Sequence, residues 1–585
     1  MELLTPETTH RLGSGEFAAL ASGLGDGQVV AQLRSAQVSR RMLMLGELMA
    51  DARFGRGGEY LAVLVEAERQ APVAVRQLLL QPHVGAWLMV TLRAIRSESR
   101  PAGRLEACLD HMAGVTLMAA MAAGIDVKLD VGVRDGGVTL PGLGRAILGD
   151  SRTASLEHIG GRTQVGTVVV PEHIEHSVDG WQAVRRVGCV AGDLRIELAM
   201  DDVDPFRDCH RLGAEGRLDD EDIRHWQRLL DEAWPILVEH HRPYAEAIAA
   251  GLTTIVPLHS DGPDHGMNVT SMEAFGAVSL TSPANGRALA LGLLHEFQHA
   301  KLGGLLDIVP LYERDDRPRY YAPWRDDPRP LGALLQGAYA FHGVVDFWRV
   351  QRHLLTEGPG QLAQVEFVRW RDRVWRTLDI LEASGRFTSR GLDFLAGMRA
   401  AQSPWQQEAA DAVTVAMATE AADDHRVGWQ LRNRRPEMSA VRRLASVWQA
   451  DLPCPHDSVR TETVGAAERM LTRSTRLDLA RMRIVEPARF AALSAGVEAM
   501  PGDIALAGGD LHAARLAYAA EIVATDHLDA WIGIALACQR DASGPRLRFP
   551  ELCMAVYRQL GFIGDTPVDP LELARWLESV DCVAV

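Results

Sequence analysis

The sequence predicts an α+β fold that is predominantly helical, with a β-rich segment set into its N-terminal half. Three observations carry this expectation. Apolar residues recur at helical spacing through 28–125 and again from 217 to about 450, as in 36-AQVSRRMLMLGELMADAR-53 and 84-VGAWLMVTLRAIRSES-99. Between them the period changes at residue 126, where 126-DVKLDVGVRDGGVTLPGLG-144, 164-QVGTVVVPE-172 and 194-LRIELAMD-201 alternate, or run β-branched, between glycine turns, the pattern of hairpins. A short strand, 276-GAVSLTSP-283, then leads straight into an apolar helix. With 585 residues the chain is too long for a single core. The changes of pattern mark four regions: helical 1–125, β-rich 126–215, a mainly helical 216–450, and a helical 451–585.

The elements after the β-rich segment follow from local signals. The stretch 217–252 reads as helix, and the acidic run in RLDDEDIRHW suits a helix N-terminus, where partial positive charge gathers. The helix after the strand carries 291-LGLLHEFQHAKLGG-304, and Gly303 and Gly304 are expected to end it. A charged, proline-rich loop follows, 310-PLYERDDRPRYYAPWRDDPRP-330. Pro330 stands where the helix 331–355 should begin. Near the C-terminus, 508–539 places Gly509, Ala513, Tyr518, Ala530 and Trp531 much as a tetratricopeptide repeat does. With one visible copy, simple helix packing stands beside a peptide-binding array as its explanation.

Composition narrows the function. A net charge of −16 argues against a nucleic-acid binder, which needs concentrated positive charge. The seven cysteines are scattered and never spaced C-x-x-C, which disfavours disulfide frameworks, iron–sulfur clusters and cysteine zinc sites. No basic stretch followed by an apolar run opens the chain, and no apolar run is long enough to span a bilayer. These features point to a cytoplasmic enzyme that binds neither nucleic acid nor membrane.

The chemistry concentrates in His295-Glu296-Phe297-Gln298-His299. Histidines four apart on a helix project from one face, so both imidazoles can reach one ion. Neutral imidazoles suit zinc and iron alike. Glu296, about 100° further round the helix than His295, can hydrogen-bond a metal-bound water without competing for the ion. A catalytic metal needs a third protein ligand. His342 is the first candidate, because it shares the inward stripe of the next helix with Leu331, Leu335, Ala338 and Tyr339; Glu313, Asp346 and His425 are the others.

HEFQHAKLGGLLDIVPLY (295–312), YYAPWRDDPRPLGALLQGAYAF (320–341) and HRVGWQLRNRRP (425–436) together resemble the bacterial HExxH-type peptide-modification proteins, the 2-oxoglutarate-dependent peptide β-hydroxylases that accompany radical-SAM peptide maturases. The resemblance is strongest over about 255–440. It implies a gluzincin-like, metal-binding helical core that holds iron(II) in place of zinc, uses 2-oxoglutarate, and hydroxylates a ribosomally made precursor peptide. Two histidines and one further ligand leave positions on octahedral iron for bidentate 2-oxoglutarate and dioxygen, whereas hydrolysis needs only a water. The distal carboxylate of 2-oxoglutarate calls for an arginine fork. Arg426 is the first candidate, followed by Arg325, with Arg329 and Arg432 beside them. Ser279 and Thr281 could add hydrogen bonds. The competing expectation is a zinc metallopeptidase that trims the precursor, with Glu296 as general base.

Overall fold

The structure is a computed structural model that describes residues 9–50, 57–97, 104–209, 212–259, 268–456, 458–464, 474–493, 500–541, 547–563 and 568–584. It is 60% helix and 14% strand, which makes the α+β fold predominantly helical, with its larger sheets in the N-terminal part and a helical C-terminal part. The chain divides into two compact units, Met1–Leu311 with Thr388–Met398, and Tyr312–Phe387 with Arg399–Val585. Leu311 therefore parts the expected 216–450 region between the units.

The first unit opens with α1 (Ser14–Ala21), α2 (Gly27–Ala50), α3 (Gly57–Gln70), α4 (Pro72–Leu79), α5 (Pro82–Arg96) and α6 (Arg104–Ala123). Residues 51–53 and 98–99, where the sequence carries two of these helices further, and residues 1–8 of the N-terminus lie outside the described residues. Pro72 and Pro82 each occupy the first helical position, where a missing N–H costs nothing. Trp87, Met112 and Leu117 pack into one core with Leu129 and Leu156 of the strands that follow.

Those strands are β1 (Val127–Gly132), β2 (Gly137–Leu140), β3 (Gly144–Ile147), β4 (Thr153–Ile159), β5 (Arg162–Val165), β6 (Val168–Val169) and β7 (Trp181–Ala183). They form two antiparallel sheets, ordered β1-β4-β5-β6 and β2-β3-β7. Asp135 and Gly136 both adopt positive φ, 48° and 72°, in the tight turn before β2. Glycine takes that conformation without a Cβ clash, and aspartate tolerates it.

The next hairpin, β8 (Arg185–Ala191) and β9 (Leu194–Met200), joins strands from the far side of residue 216. After α7 (Asp220–His240) and α8 (Arg242–Gly251) come β10 (Thr254–Leu258), β11 (Asn268–Val269) and β12 (Ala277–Thr281), completing a sheet of order β11-β12-β10-β9-β8. Its centre, β9-β10-β12, is parallel, and both edge strands run antiparallel. Asp219 caps α7 by accepting from the backbone N–H of Glu221 and Asp222. The single helical stretch expected over 217–252 breaks at His241 because Pro243 enters the first turn of α8, where a continuing helix would need its N–H.

The helix α9 (Gly286–Leu306) follows β12 directly, as expected, with Asn285 capping it by accepting from Ala288 N–H at 3.0 Å. Gly303 and Gly304 do not end it. They lie inside the helix, where a Cβ on Gly303 would stand 3.2 Å from Met272 Cγ, and one on Gly304 would stand 3.1 Å from Phe275 Cε2. Their role is close approach, not termination.

The second unit begins with the loop through 330 and continues as α10 (Leu331–Gln351), α11 (Glu357–Ala383), α12 (Ser389–Gln406, of which residues to Met398 belong to the first unit) and α13 (Ala412–Asn433). Pro330 stands just before α10, as the sequence suggests, and the helix ends four residues before the expected 355. Then come β13 (Arg434–Pro436), α14 (Met438–Gln449), β14 (Ser458–Thr463), α15 (Thr475–Val485), α16 (Pro487–Ala492), α17 (Pro501–Gly508), α18 (Leu511–Thr525), α19 (Leu528–Arg540), α20 (Pro550–Ile563), α21 (Pro570–Trp576) and β15 (Asp581–Ala584). The small sheet β13-β14-β15 has no counterpart in the sequence reading. Among the described residues no single helix is long and apolar enough to cross a membrane.

Candidate metal centre

The inner face of α9 explains why the motif helix is held rigidly. Leu293, Leu294, Phe297 and Leu302 are buried, and α9 packs on α7, α8, α2 and β12. Gln298 and Lys301, also buried, reach the end of α1: Gln298 Nε2 donates to Gly23 O at 3.0 Å, and Lys301 Nζ donates to Gly23 O at 2.9 Å and Leu24 O at 3.0 Å. These donors satisfy two carbonyls of the turn that leaves α1, past its C-cap Ser22. Burial pushes the Lys301 ammonium down to about 7.

On the other face His295 and His299 are half-buried, with ring centroids 5.0 Å apart and planes at 79°. Burial, followed by the neighbouring His299, holds the His295 imidazole well below its ordinary range and so neutral, the form that ligates a metal. Glu296 is almost fully buried. Its Oε2 accepts from Thr270 Oγ1 at 2.8 Å, and the same hydroxyl lies 3.0 Å from the Glu296 carbonyl. Glu296 Oε1 is 3.7 Å from His295 Nε2. Burial raises the Glu296 carboxyl to about 8 against the pull of the Thr270 hydrogen bond. Two imidazoles on one helix face, with a carboxyl anchored at their side, suit a d-block ion. Thr270 follows the edge strand β11, 26 residues before Glu296, and no sequence motif marks it.

The remaining candidates fall in the second unit. His342 is fully buried on α10, its Nδ1 3.1 Å from Gln402 Nε2 and its ring 5.0 Å from Trp405. The set His295, His299 and His342 is thus divided between the two units. His425 Nδ1 lies 2.9 Å from the Tyr321 hydroxyl, and its Nε2 is 3.5 Å from Asp326. Asp346 pairs with Arg349 at 2.8 Å, and Glu313 is exposed beside Arg386. Of the arginines, Arg325 and Arg329 grip the two oxygens of Asp327 at 2.9 and 3.0 Å. Arg426 contacts Asp423 at 3.3 Å and Gln539 at 3.2 Å, and Arg432 is 3.8 Å from Asp326. On β12, in the first unit, Thr281 is buried and Ser279 half-buried.

Among the described residues, one group of three His, Cys, Asp or Glu side chains has its donor atoms mutually within 4.8 Å, and it is elsewhere in the first unit: His83, Asp201 and Asp204. The pairing of His83 with residues 118 and more positions away is invisible to any local motif. Compared with known proteins, the chain matches no family model, and a search of the curated proteins finds no significant match.

Proposed function

We propose that this chain is an iron(II)- and 2-oxoglutarate-dependent peptide β-hydroxylase, acting in the cytoplasm on a ribosomally made precursor peptide beside a radical-SAM maturase. The supporting observation is the placement of His295 and His299 on one half-buried face of α9, with Glu296 anchored next to them by Thr270. On this reading the region around α9 is a gluzincin-like metal-binding core, and α17 to α19 form a tetratricopeptide-like element.

His295 and His299 would bind the metal as neutral imidazoles, with His342 as the third ligand. Gln402 Nε2, 3.1 Å from His342 Nδ1, would fix the orientation of that ring. Bound iron would supply the redox chemistry. In the overall reaction a peptide C–H becomes C–OH with one atom of dioxygen, while 2-oxoglutarate takes the other and splits to succinate and carbon dioxide. Arg426 is the preferred partner for the distal carboxylate. Its contacts with Asp423, 3.3 and 3.4 Å, are longer than the 2.9 Å bond of Arg325 to Asp327, so it re-pairs at lower cost. Glu296, held through Oε2, would orient a water or ligand with Oε1.

The second reading is a zinc metallopeptidase. The observation in its favour is Glu296 Oε1, which lies 3.7 Å from His295 Nε2, where a general base would stand. Incubation of the full-length protein with iron(II), 2-oxoglutarate and a precursor peptide encoded beside it separates the two. Hydroxylation predicts succinate and a peptide heavier by one oxygen, both lost in His295→Ala. Two peptide fragments, formed with zinc and without 2-oxoglutarate, would establish the second reading.

A further inference from the structure

The start of α5 and the loop leaving β9 meet in a buried polar cluster. His83 is the second residue of α5, and Asp201 and Asp204 follow the last residue of β9. Their exposures are 3%, 2% and 1%, so they are shielded from bulk solvent. Each carboxylate spends one oxygen on the loop's own backbone: Asp201 Oδ1 accepts from the N–H of Val203 and Asp204 at 3.1 and 2.9 Å, and Asp204 Oδ1 from Phe206 N–H at 2.8 Å. Asp201 Oδ2 stands 2.7 Å from His83 Nδ1. Two polar atoms are then left over. Asp204 Oδ2 and His83 Nε2 are buried and have no hydrogen-bond partner.

Leaving such atoms unmatched is expensive. A buried polar atom without a partner keeps its full desolvation cost, which is larger when it carries charge. The Nη groups of nearby Arg207 go to carbonyls, Asp204 O at 2.8 Å and Glu215 O at 2.9 Å, and its Nε is itself buried without a partner. Two carboxylates and an imidazole in one pocket are hard and borderline donors. Their atoms lie mutually within 4.8 Å, close enough for one ion to bind all three with small adjustments. His111 stands behind them, its ring 4.8 Å from Phe206 and 5.5 Å from Trp87, and its Nε2 is likewise buried without a partner.

We propose that His83, Asp201 and Asp204 form a closed, structural divalent-metal site, occupied by zinc, that fastens the start of α5 to the end of β9. Zinc fits because it accepts few ligands and mixed nitrogen and oxygen donors. Magnesium and calcium do not fit, since each prefers six or more oxygen ligands, whereas one of the three donors here is an imidazole nitrogen. His111, whose buried Nε2 also lacks a partner, would complete the coordination. The site does not depend on the reading of α9, and it lies on the strand that supports the same sheet.

The test uses the untagged full-length chain carrying His295→Ala and His299→Ala, so that the metal counted is not the one on α9. After exhaustive dialysis against a mild chelator, elemental analysis should find one zinc per chain. Adding Asp204→Asn, or His83→Gln as a second route should the first fail to fold, should remove it. The metal-loaded chain should also unfold at a higher temperature than the stripped chain, and that difference should vanish with the added substitution. A folded His295→Ala/His299→Ala chain that holds no metal overturns the proposal. One iron or manganese per chain, lost with Asp204→Asn, would keep the site and overturn zinc as its occupant. Because both chains lack the α9 histidines, neither outcome bears on the hydroxylase reading.

Discussion

The packing behind α9 can be tested with a single methyl group. Gly251 is the last residue of α8, and a Cβ there would lie 2.2 Å from Phe297 Cζ, 2.7 Å from Phe297 Cε2 and 2.8 Å from Val30 Cγ1. Carbon atoms in contact settle at about 3.5–4.0 Å, so the ring or the helix must move by more than ~1 Å. Overpacking of this kind costs about 1–3 kcal/mol, and alanine's higher helix propensity returns at most about 1 kcal/mol. Gly251→Ala should therefore destabilise the protein by about 1–2 kcal/mol. Phe297 stands between Glu296 and Gln298 in the chain, so its displacement shifts the motif, and metal affinity should fall by up to about tenfold. Gly46, inside α2 with no atom within 4 Å of its Cβ position, is the control, and Gly46→Ala should stabilise by about 0.5–1 kcal/mol. Denaturant unfolding and metal titration read both effects. A Gly251→Ala chain with an undiminished midpoint, unchanged slope and unchanged metal affinity would refute this account of α9.

Thr270→Val removes the hydroxyl from Glu296, and unfolding should become easier by about 1–2 kcal/mol; in a double-mutant cycle with Glu296→Gln the two changes should couple, and strict additivity would count against the contact. In the second unit Arg476, nearly fully buried, meets Asp424 at 2.5 Å, Asp529 at 3.2 Å and Asp503 at 3.4 Å. Arg476→Met strands these carboxylates and should cost about 3–5 kcal/mol by denaturant melts. Burial holds His425 down to about 4, partly offset by Asp326, with Arg369 and Arg432 opposing its charge and Asp424 favouring it. As pH falls from 6.5 towards 4 the unfolded chain takes up a proton that folded His425 refuses. The stability present above pH 6.5 is lost across that window, by about 3 kcal/mol at most. His425→Gln should flatten this part of the pH profile relative to the parent chain; an unchanged slope would count against a neutral buried His425.

Local signals in the sequence carried the elements, and long-range pairing was beyond them. The β12 to α9 step and Pro330 before α10 rest on neighbouring residues, and each is found where the pattern places it. Gly303 and Gly304 were misleading because a glycine that admits Phe275 or Met272 looks in sequence like one that ends a helix. Nothing local could show that β9 pairs with β10 across more than 50 residues, joining the β-rich segment to the sheet beneath α9. The same holds for the candidate site. Two histidines four apart declare themselves, whereas Thr270, the carbonyls of Gly23 and Leu24, and the His83 to Asp201 contact depend on the folded chain. The RDDPR run at 325–329 is a local pairing, since Arg325 and Arg329 flank the Asp327 they both bind.

The source of the oxygen in the product tests the central claim most directly. Full-length protein, iron(II), 2-oxoglutarate and precursor peptide are incubated under isotopically heavy dioxygen in ordinary water, and the intact peptide is weighed by mass spectrometry. Hydroxylation predicts one uncut peptide carrying a heavy oxygen, with heavy label also in succinate and neither formed by His299→Ala. A cut peptide whose new carboxyl takes its oxygen from water, whether or not 2-oxoglutarate is present, would contradict it.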